Sequence, residues 1–211
     1  MTYKREFLEA IEVSKRLGAK EPVKTCLDSS TPILTEDLKK RIYSFFQSNF
    51  VDHPEYKKIL SGGCVAVSSM LKPLIESMIN DEVIITLGYI KCLGDRQFNA
   101  SVAEFENARL KGIKKLKWET HVWLTLPSYE VIDFTLYYTL TSINPAFKSV
   151  LPIVRMNTVE FNGSDKVELH PLIVGEEIMH NLFETVTLEG DDLSDLIAKQ
   201  IVEYKKYHAQ Q

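Results

Sequence analysis

The sequence predicts an α+β protein in which helices flank an antiparallel sheet. Apolar residues recur at helical spacing within 4–18 and 64–78, the pattern of helices with one buried face. Residues 83–90, in contrast, are short and rich in β-branched side chains, which is typical of a strand. Since no internal repeat or linker interrupts the 211 residues, we expect residues 1–211 to form a single domain.

Two helices are predicted in the N-terminal region. The first covers 4–18, where Phe7, Leu8, Ile11 and Leu17 are near-helically spaced and Gly18 ends the pattern. The second begins at Thr35, because acidic residues follow in its first turn. We expect it to continue through three aromatic residues of its core face: Phe45, Phe46 and Phe50.

A third helix is predicted to begin at Cys64. Its apolar stripe has the spacing of a buried helix face and consists of Cys64, Val67, Leu71, Leu74, Ile75 and Met78. Pro73 lies inside this pattern, and proline removes a backbone donor from a helix. We therefore expect Pro73 to kink the helix or to end its regular part near Lys72.

The remaining elements follow from shorter patterns. Segments 119–126 and 130–138 are predicted to form a hairpin that turns near Pro127-Ser128-Tyr129. Further predicted strands are 151–155 and 166–170, and further predicted helices are 175–185 and 190–206.

Composition narrows the class of protein. The hydrophobic fraction is 45% and the charged fraction 26%, which are values of folded globular chains. A net charge of -4 disfavours generic binding to nucleic acid or anionic membranes. No apolar run approaches the roughly 20 residues of a membrane span, and no signal peptide is evident. Three widely separated cysteines suit a reducing compartment, so we expect a cytoplasmic protein; an effector exported without a signal would look the same.

The stretch Ser61-Gly62-Gly63-Cys64 has the features of a thiol nucleophile. A cysteine attacks as its thiolate, and both a helix N-terminus and a neighbouring imidazolium favour that form. Cys64 follows two glycines at the start of a predicted helix. Glycines also allow close approach of a substrate backbone, and the free N–H groups of the first turn are potential donors to an oxyanion.

The predicted hairpin brings a base and a carboxylate together. In a strand, His121 shares one face with Trp123 and Thr125. A turn centred on Pro127 places His121 directly opposite Asp133. A turn centred on Ser128 places His121 opposite Thr135, with Asp133 as the diagonal neighbour. Either register leaves imidazole and carboxylate on the same face.

These segments together resemble the core of the transglutaminase-like superfamily, over about residues 60–136. The motifs that carry the resemblance are Gly62-Gly63-Cys64, Leu87-Gly88-Tyr89, His121-Val122-Trp123-Leu124 and Ile132-Asp133-Phe134-Thr135. The superfamily includes transglutaminases, bacterial cysteine peptidases, peptide N-glycanases and, more distantly, arylamine N-acetyltransferases. The resemblance implies a papain-like core, in which the helix carrying the Cys packs on an antiparallel sheet carrying the His and Asp.

By this resemblance Cys64 is the nucleophile, His121 the base and Asp133 the residue that orients the base. It implies a cysteine-dependent acyl-transfer enzyme that hydrolyses an amide or peptide bond through a thioester on Cys64. One alternative is a transglutaminase or N-acetyltransferase that passes the acyl group to an amine. Another is an inactive, transglutaminase-like interaction module. The expected partner is a protein, peptide or small amide substrate.

Three further residues are candidates to contact the substrate or its oxyanion: Gly63, Gln47 and Trp123. No organic cofactor or metal is expected. Glu177 and His180 form a single Glu-x-x-His element, whereas a di-iron bundle needs two, so a solvated helix face is the favoured interpretation. The lysines within 111–117 are interpreted as a solvated loop or as one wall of the cleft.

Overall fold

The computed structural model describes residues 3–19, 31–115, 119–157 and 167–183. This part of the chain contains seven α-helices and a six-stranded antiparallel sheet, which confirms the α+β class. The helices are not confined to the two ends of the sequence as predicted, because two of them lie between strands.

The helices are α1 (Tyr3–Arg16), α2 (Glu36–Phe46), α3 (Pro54–Leu60), α4 (Cys64–Ile79), α5 (Val102–Leu110), α6 (Leu136–Ile143) and α7 (Glu176–Leu182). A π-helical turn, Gln47–Val51, follows α2, and a 3-10 turn, Pro145–Ser149, follows α6. The strands are β1 (Ile84–Cys92), β2 (Asp95–Gln97), β3 (His121–Thr125), β4 (Val131–Asp133), β5 (Arg155–Asn157) and β6 (Val167–Val174).

Strand β1 lies inside the sheet and pairs with three other strands. Its residues 90–92 pair with both β2 and β6, so these two strands lie on opposite sides of β1. Residues 86–88 pair with both β3 and β6 in the same way. Strands β2 and β3 therefore lie end to end along one side of β1, and α5 is in the connection between them. Strands β4 and β5 extend the sheet beyond β3.

Both faces of the sheet are covered, since its strand residues alternate between two hydrophobic cores. Leu87 and Val122 belong to the core that contains residues of α2, α4, α5 and α7. Ile90 and Trp123 belong to the core that contains residues of α1 and α6. This arrangement gives three layers and explains why the strands of the hairpin are buried throughout.

The two N-terminal helices form where the sequence predicts them. Helix α1 buries Phe7 and Ile11, although Leu8 is exposed. Helix α2 begins at the predicted cap, since the Thr35 side chain accepts a hydrogen bond from the N–H of Leu38. It changes to π-helical geometry after Phe46 rather than continuing as a regular helix to Phe50.

Helix α4 also starts at the predicted residue but is longer than expected. It runs through Pro73 to Ile79, so the expectation that its regular part ends near Lys72 is wrong. Leu71, Leu74 and Ile75 flank the proline and are fully packed in the core. Packing of this apolar face stabilises the helix despite the donor that proline removes.

The hairpin forms, but its second strand is shorter than predicted. Strand β4 ends at Asp133, and helix α6 replaces the predicted strand from Leu136 onward. The cause is local, because one oxygen of the Asp133 carboxylate accepts the N–H groups of Thr135 and Leu136. Satisfying these two donors starts a helix where the β-branched composition indicated a strand.

The last strands and helices agree only in part with the sequence. Strand β6 and helix α7 overlap the predicted segments 166–170 and 175–185. The prediction of a strand over 151–155 is wrong, since β5 begins at Arg155 and Pro152 has no backbone donor for a ladder. The predicted helix at 190–206 lies outside the described residues. Within the described residues, no helix has both the length and the apolar character of a membrane span.

Candidate active site

A tight turn between α3 and α4 delivers Cys64 to the end of the sheet. Gly62 adopts φ +84°, a conformation that residues with a side chain rarely tolerate. Gly63 has no room for a side chain, because a Cβ there would lie 2.0 Å from the carbonyl oxygen of Ile59. The N–H of Gly62 donates to the Thr139 hydroxyl at 3.2 Å, which ties the turn to α6. The Gly-Gly pair is therefore required by the packing of this turn.

Cys64 is the first residue of α4. No side chain caps this helix, and its first backbone bond runs from the N–H of Val67 to the carbonyl of Gly63. The N–H groups of Cys64, Val65 and Ala66 thus precede the hydrogen-bonded part of the helix. Cys64 is a free thiol that is 9% exposed. The positive end of a helix dipole therefore lies at a thiol that has a small solvent-accessible surface.

His121 and Asp133 form a buried pair at the same end of the sheet. Nε2 of His121 lies 2.7 Å from Oδ2 of Asp133, and both side chains are inaccessible to solvent. His121 is the first residue of β3, and Asp133 is the last residue of β4. Because the two strands are antiparallel, the start of β3 and the end of β4 lie at the same end of the sheet. The two predicted residues are thus brought together as expected.

The pairing register distinguishes the two alternatives left by the sequence. Leu124 pairs with Ile132 and Thr125 with Val131, so the turn is centred on Ser128. Asp133 is consequently the diagonal neighbour of His121. The hydrogen bond between them shows that a diagonal pair on one face is within side-chain reach.

The charges of this pair stabilise each other. Burial is the largest single contribution and disfavours the imidazolium of His121. Asp133 outweighs this effect of burial through its charge and its hydrogen bond, and Cys64 adds a smaller contribution. Together they raise the pKa of His121 to about 10. Burial also opposes the charged form of Asp133, yet His121 and two backbone N–H groups hold the pKa of this carboxyl below its usual value. The site therefore favours an imidazolium paired with a carboxylate.

Asp133 is fixed by contacts on both of its oxygens. Oδ2 faces His121, while Oδ1 accepts the N–H groups of Thr135 and Leu136, each at 3.0 Å. This carboxylate therefore orients the imidazole and also starts α6. Its orientation does not depend on solvent, because the side chain is buried.

Cys64 is the third residue at the imidazole. The thiol helps to raise the pKa of His121, which indicates that it is near the ring, although no well-formed hydrogen bond joins the two side chains. Asp133 occupies Nε2, which leaves Nδ1 for the sulfur. Nδ1 is buried and makes no well-formed hydrogen bond with any group in the described residues.

Trp123 lies beside the imidazole but is not open to a substrate. Its ring centroid is 6.3 Å from that of His121, and the side chain is fully buried. The indole N–H donates to the hydroxyl of Tyr3 at 2.8 Å. Trp123 therefore supports β3 against α1, and its single polar donor is already engaged.

Of the two other residues predicted to contact the substrate or its oxyanion, Gly63 lies beside Cys64 in the chain and Gln47 does not. The side-chain amide of Gln47 donates to Asp52 at 2.7 Å, within the π-helical turn, and no described contact links it to Cys64. Gly63 is adjacent to Cys64 and caps its helix. Gly63 therefore directly precedes the proposed nucleophile in the chain, whereas the Gln47 side chain is engaged within its own turn.

Two residues at the site were not found from the sequence. The Phe98 ring stacks on His121, with centroids 5.2 Å apart, and Thr139 accepts the N–H of Gly62. Phe98 lies in an irregular link between β2 and α5, where no periodicity marks it. Helix α5 itself had a readable signal, since Ser101 and Glu104 form a capping box.

The other polar candidates lie apart from this site. His180 is exposed and lies 3.5 Å from Glu176 on α7. The lysines at 111, 114 and 115 are exposed, and 116–118 lie outside the described residues. No group of three or more potential metal ligands occurs within the described ranges.

Comparison of the chain with protein-family models, with curated proteins and with solved structures finds no match. The assignment of a function to the Cys64–His121–Asp133 constellation therefore depends on its geometry and chemistry.

Proposed function

We propose that this chain is a thiol-dependent acyl-transfer enzyme with a transglutaminase-like core, and that it hydrolyses an amide or peptide bond. The observation that carries the proposal is the buried imidazole of His121: Nε2 binds Asp133, Nδ1 has no hydrogen-bond partner among the described residues, and the Cys64 thiol is near enough to help raise the pKa of the ring. A nucleophile, a base and a residue that orients the base are the three parts that covalent acyl transfer requires.

The first half of the reaction forms a thioester. The Cys64 thiolate attacks the carbonyl carbon of the substrate, and a carbon–sulfur bond forms. The oxyanion of the tetrahedral intermediate accepts hydrogen bonds from N–H groups in the first turn of α4. The intermediate collapses as the carbon–nitrogen bond breaks, and the leaving amine takes the proton from Nδ1 of His121.

The second half releases the acyl group. Water approaches the thioester and gives a proton to Nδ1 of His121 as its oxygen attacks the carbonyl carbon. The carbon–sulfur bond then breaks, so the acid leaves and the thiolate–imidazolium pair is restored. If an amine replaces water, the same steps transfer the acyl group. Asp133 stays ionised throughout and stabilises the imidazolium, as the carboxylate does in other triads.

A non-catalytic module is the second candidate, and the burial of the triad favours it. His121 has no accessible surface and Asp133 is 2% exposed, so their pair also serves as a buried cross-link between β3 and β4. Such a cross-link is compatible with a chain that binds a partner and catalyses nothing.

Native-state alkylation with iodoacetamide, followed by mass mapping, separates the two candidates. Cys92 is the internal control, because it is also buried and burial raises the pKa of its thiol. If the chain is an enzyme, we expect Cys64 to react at pH 7 at least about tenfold faster than Cys92.

The His121→Gln variant is expected to remove this advantage. Because it leaves Asp133 buried and unpaired, the double variant with Asp133→Asn serves as the control that removes both charges together. The non-catalytic module would be supported by equal alkylation rates for the two cysteines, or by a Cys64 rate that is unchanged in both variants.

A further inference from the structure

The imidazole of His121 is enclosed by two aromatic rings in addition to its polar partners. The Phe98 ring lies 5.2 Å away at an interplanar angle of 22°, and the Trp123 ring lies 6.3 Å away at 25°. Trp123 belongs to the core between the sheet and α1 and is fully buried. Phe98 is only partly buried, so it stacks on the fully buried imidazole from a position that solvent reaches.

The backbone of Phe98 is held in an unfavourable conformation. Its φ is +67°, a left-handed value that is rare for an aromatic residue. Such outliers persist where the surroundings hold them, and they occur preferentially at functional sites. Here the strained backbone directs an aromatic side chain onto the ring of the proposed base.

Arg96 supplies the contacts that hold this segment. Its guanidinium donates to the carbonyl of Phe98 at 3.3 Å and to the carbonyl of Ala100 at 2.9 Å. The same guanidinium stacks over the Tyr89 ring, 3.8 Å from its centroid. The N–H of Ala100 in turn donates to the carbonyl of Glu119 at 2.7 Å. The link is thus anchored to β1 on one side and to the start of β3 on the other.

The position of Phe98 suits a role in the charge state and orientation of the imidazole. An aromatic face attracts a cation, and it does so more strongly when water is excluded. A ring stacked on His121 also restricts rotation of the imidazole. Asp133 and Cys64 are the titratable groups that act on His121, and the charged group at the Phe98 segment is Arg96.

We propose that Phe98 is a positioning residue for His121, which excludes water from the imidazole, fixes its plane and favours its protonated form. The inference rests on the proposed function, since it concerns the same base. It predicts that the reactivity of Cys64 at neutral and acidic pH depends on an aromatic ring at position 98.

The test is the alkylation rate of Cys64 by iodoacetamide from pH 5 to pH 10, together with the NMR titration of ¹³C-labelled histidine. Phe98→Leu keeps an apolar side chain and removes the aromatic face. We expect it to slow alkylation at pH 6 by about three- to tenfold and to move the His121 titration to lower pH. Phe98→Tyr is expected to retain the wild-type profile, because its ring is preserved.

Two further variants keep the test independent of folding defects. Phe147→Leu removes a ring from the same core, and no described ring contact joins Phe147 to His121, so it is expected to lower thermal stability and leave the pH profile unchanged. Arg96→Gln loosens the anchoring of the Phe98 link and is expected to shift the profile in the same direction as Phe98→Leu.

The outcomes separate this inference from the proposed function. If His121→Gln abolishes the reactivity of Cys64 at pH 6 while both Phe98→Leu and Arg96→Gln match the wild type, the positioning role is overturned and the enzyme proposal stands. If His121→Gln leaves the reactivity unchanged, the enzyme proposal and the positioning role are both overturned.

Discussion

Replacing Asp133 by asparagine removes the charge that stabilises the His121 imidazolium and preserves the shape of the side chain. The amide oxygen of asparagine can still accept the N–H groups of Thr135 and Leu136, so α6 keeps its start. What is lost is the ion pair to Nε2 of His121. Removing one partner of a buried pair costs about 3–5 kcal/mol.

The pH dependence of this loss follows from the direction of the pKa shift. The pKa of His121 is raised from 6.5 to about 10, which corresponds to about 5 kcal/mol of preferential proton binding by the folded state. That contribution is fully present below pH 6.5 and disappears as the pH rises to about 10. At the acidic end, the lowered pKa of Asp133 keeps the pair intact until the pH falls through the folded value of that carboxyl. Asp133→Asn should therefore destabilise the protein far more at pH 6 than at pH 9.

Urea unfolding of wild type and Asp133→Asn at pH 6 and pH 9 measures this difference. Glu130→Gln is the matched control, because Glu130 is also a buried carboxylate that accepts two backbone N–H groups and one hydroxyl. None of these partners titrates between pH 6 and 9, so its penalty should vary little. An Asp133→Asn penalty that is equal at both pH values, or larger at pH 9, would refute the assignment of a protonated His121.

Three other predictions concern the supports of the site. Tyr3→Phe leaves the buried indole N–H of Trp123 without its acceptor, so we expect a loss of about 1–3 kcal/mol in urea unfolding and little change in Cys64 alkylation. Gly88→Ala places a Cβ 2.0 Å from a backbone oxygen of β6 and 2.7 Å from the Trp123 ring, so the melting temperature should fall by an amount that reflects about 3 kcal/mol of overpacking. Thr139→Val removes the acceptor of the Gly62 N–H and should slow Cys64 alkylation, whereas Thr139→Ser should restore it; equal rates would contradict this.

The parts of the site that follow from simple periodicity were predictable from the sequence. Alternation along β3 and β4 placed His121 and Asp133 on one face whichever register the hairpin adopted, and the observed bond agrees. The start of α4 at Cys64 followed from the two glycines before an apolar helical stripe. These inferences need only local geometry.

The parts that depend on long-range packing were not predictable. Gly63 is required by the carbonyl of Ile59, and Phe98 reaches His121 through a link anchored by Arg96; neither contact leaves a pattern in the sequence. Helix α6 was predicted as a strand, because its β-branched and aromatic composition outweighed the two N–H groups bound by Asp133. Such side-chain-to-backbone bonds override propensity.

The most direct test of acyl transfer is intact-mass detection of an acyl-enzyme. The wild type is mixed with p-nitrophenyl acetate at pH 7, quenched in acid at successive times and mapped by peptide mass. We expect a burst of p-nitrophenol and a transient acetyl group on Cys64, and we expect both to be lost in Cys64→Ser and in the double variant His121→Gln, Asp133→Asn. Acetylation that is spread over surface lysines, with Cys64 unmodified and no burst, would contradict the assignment of Cys64 as the nucleophile.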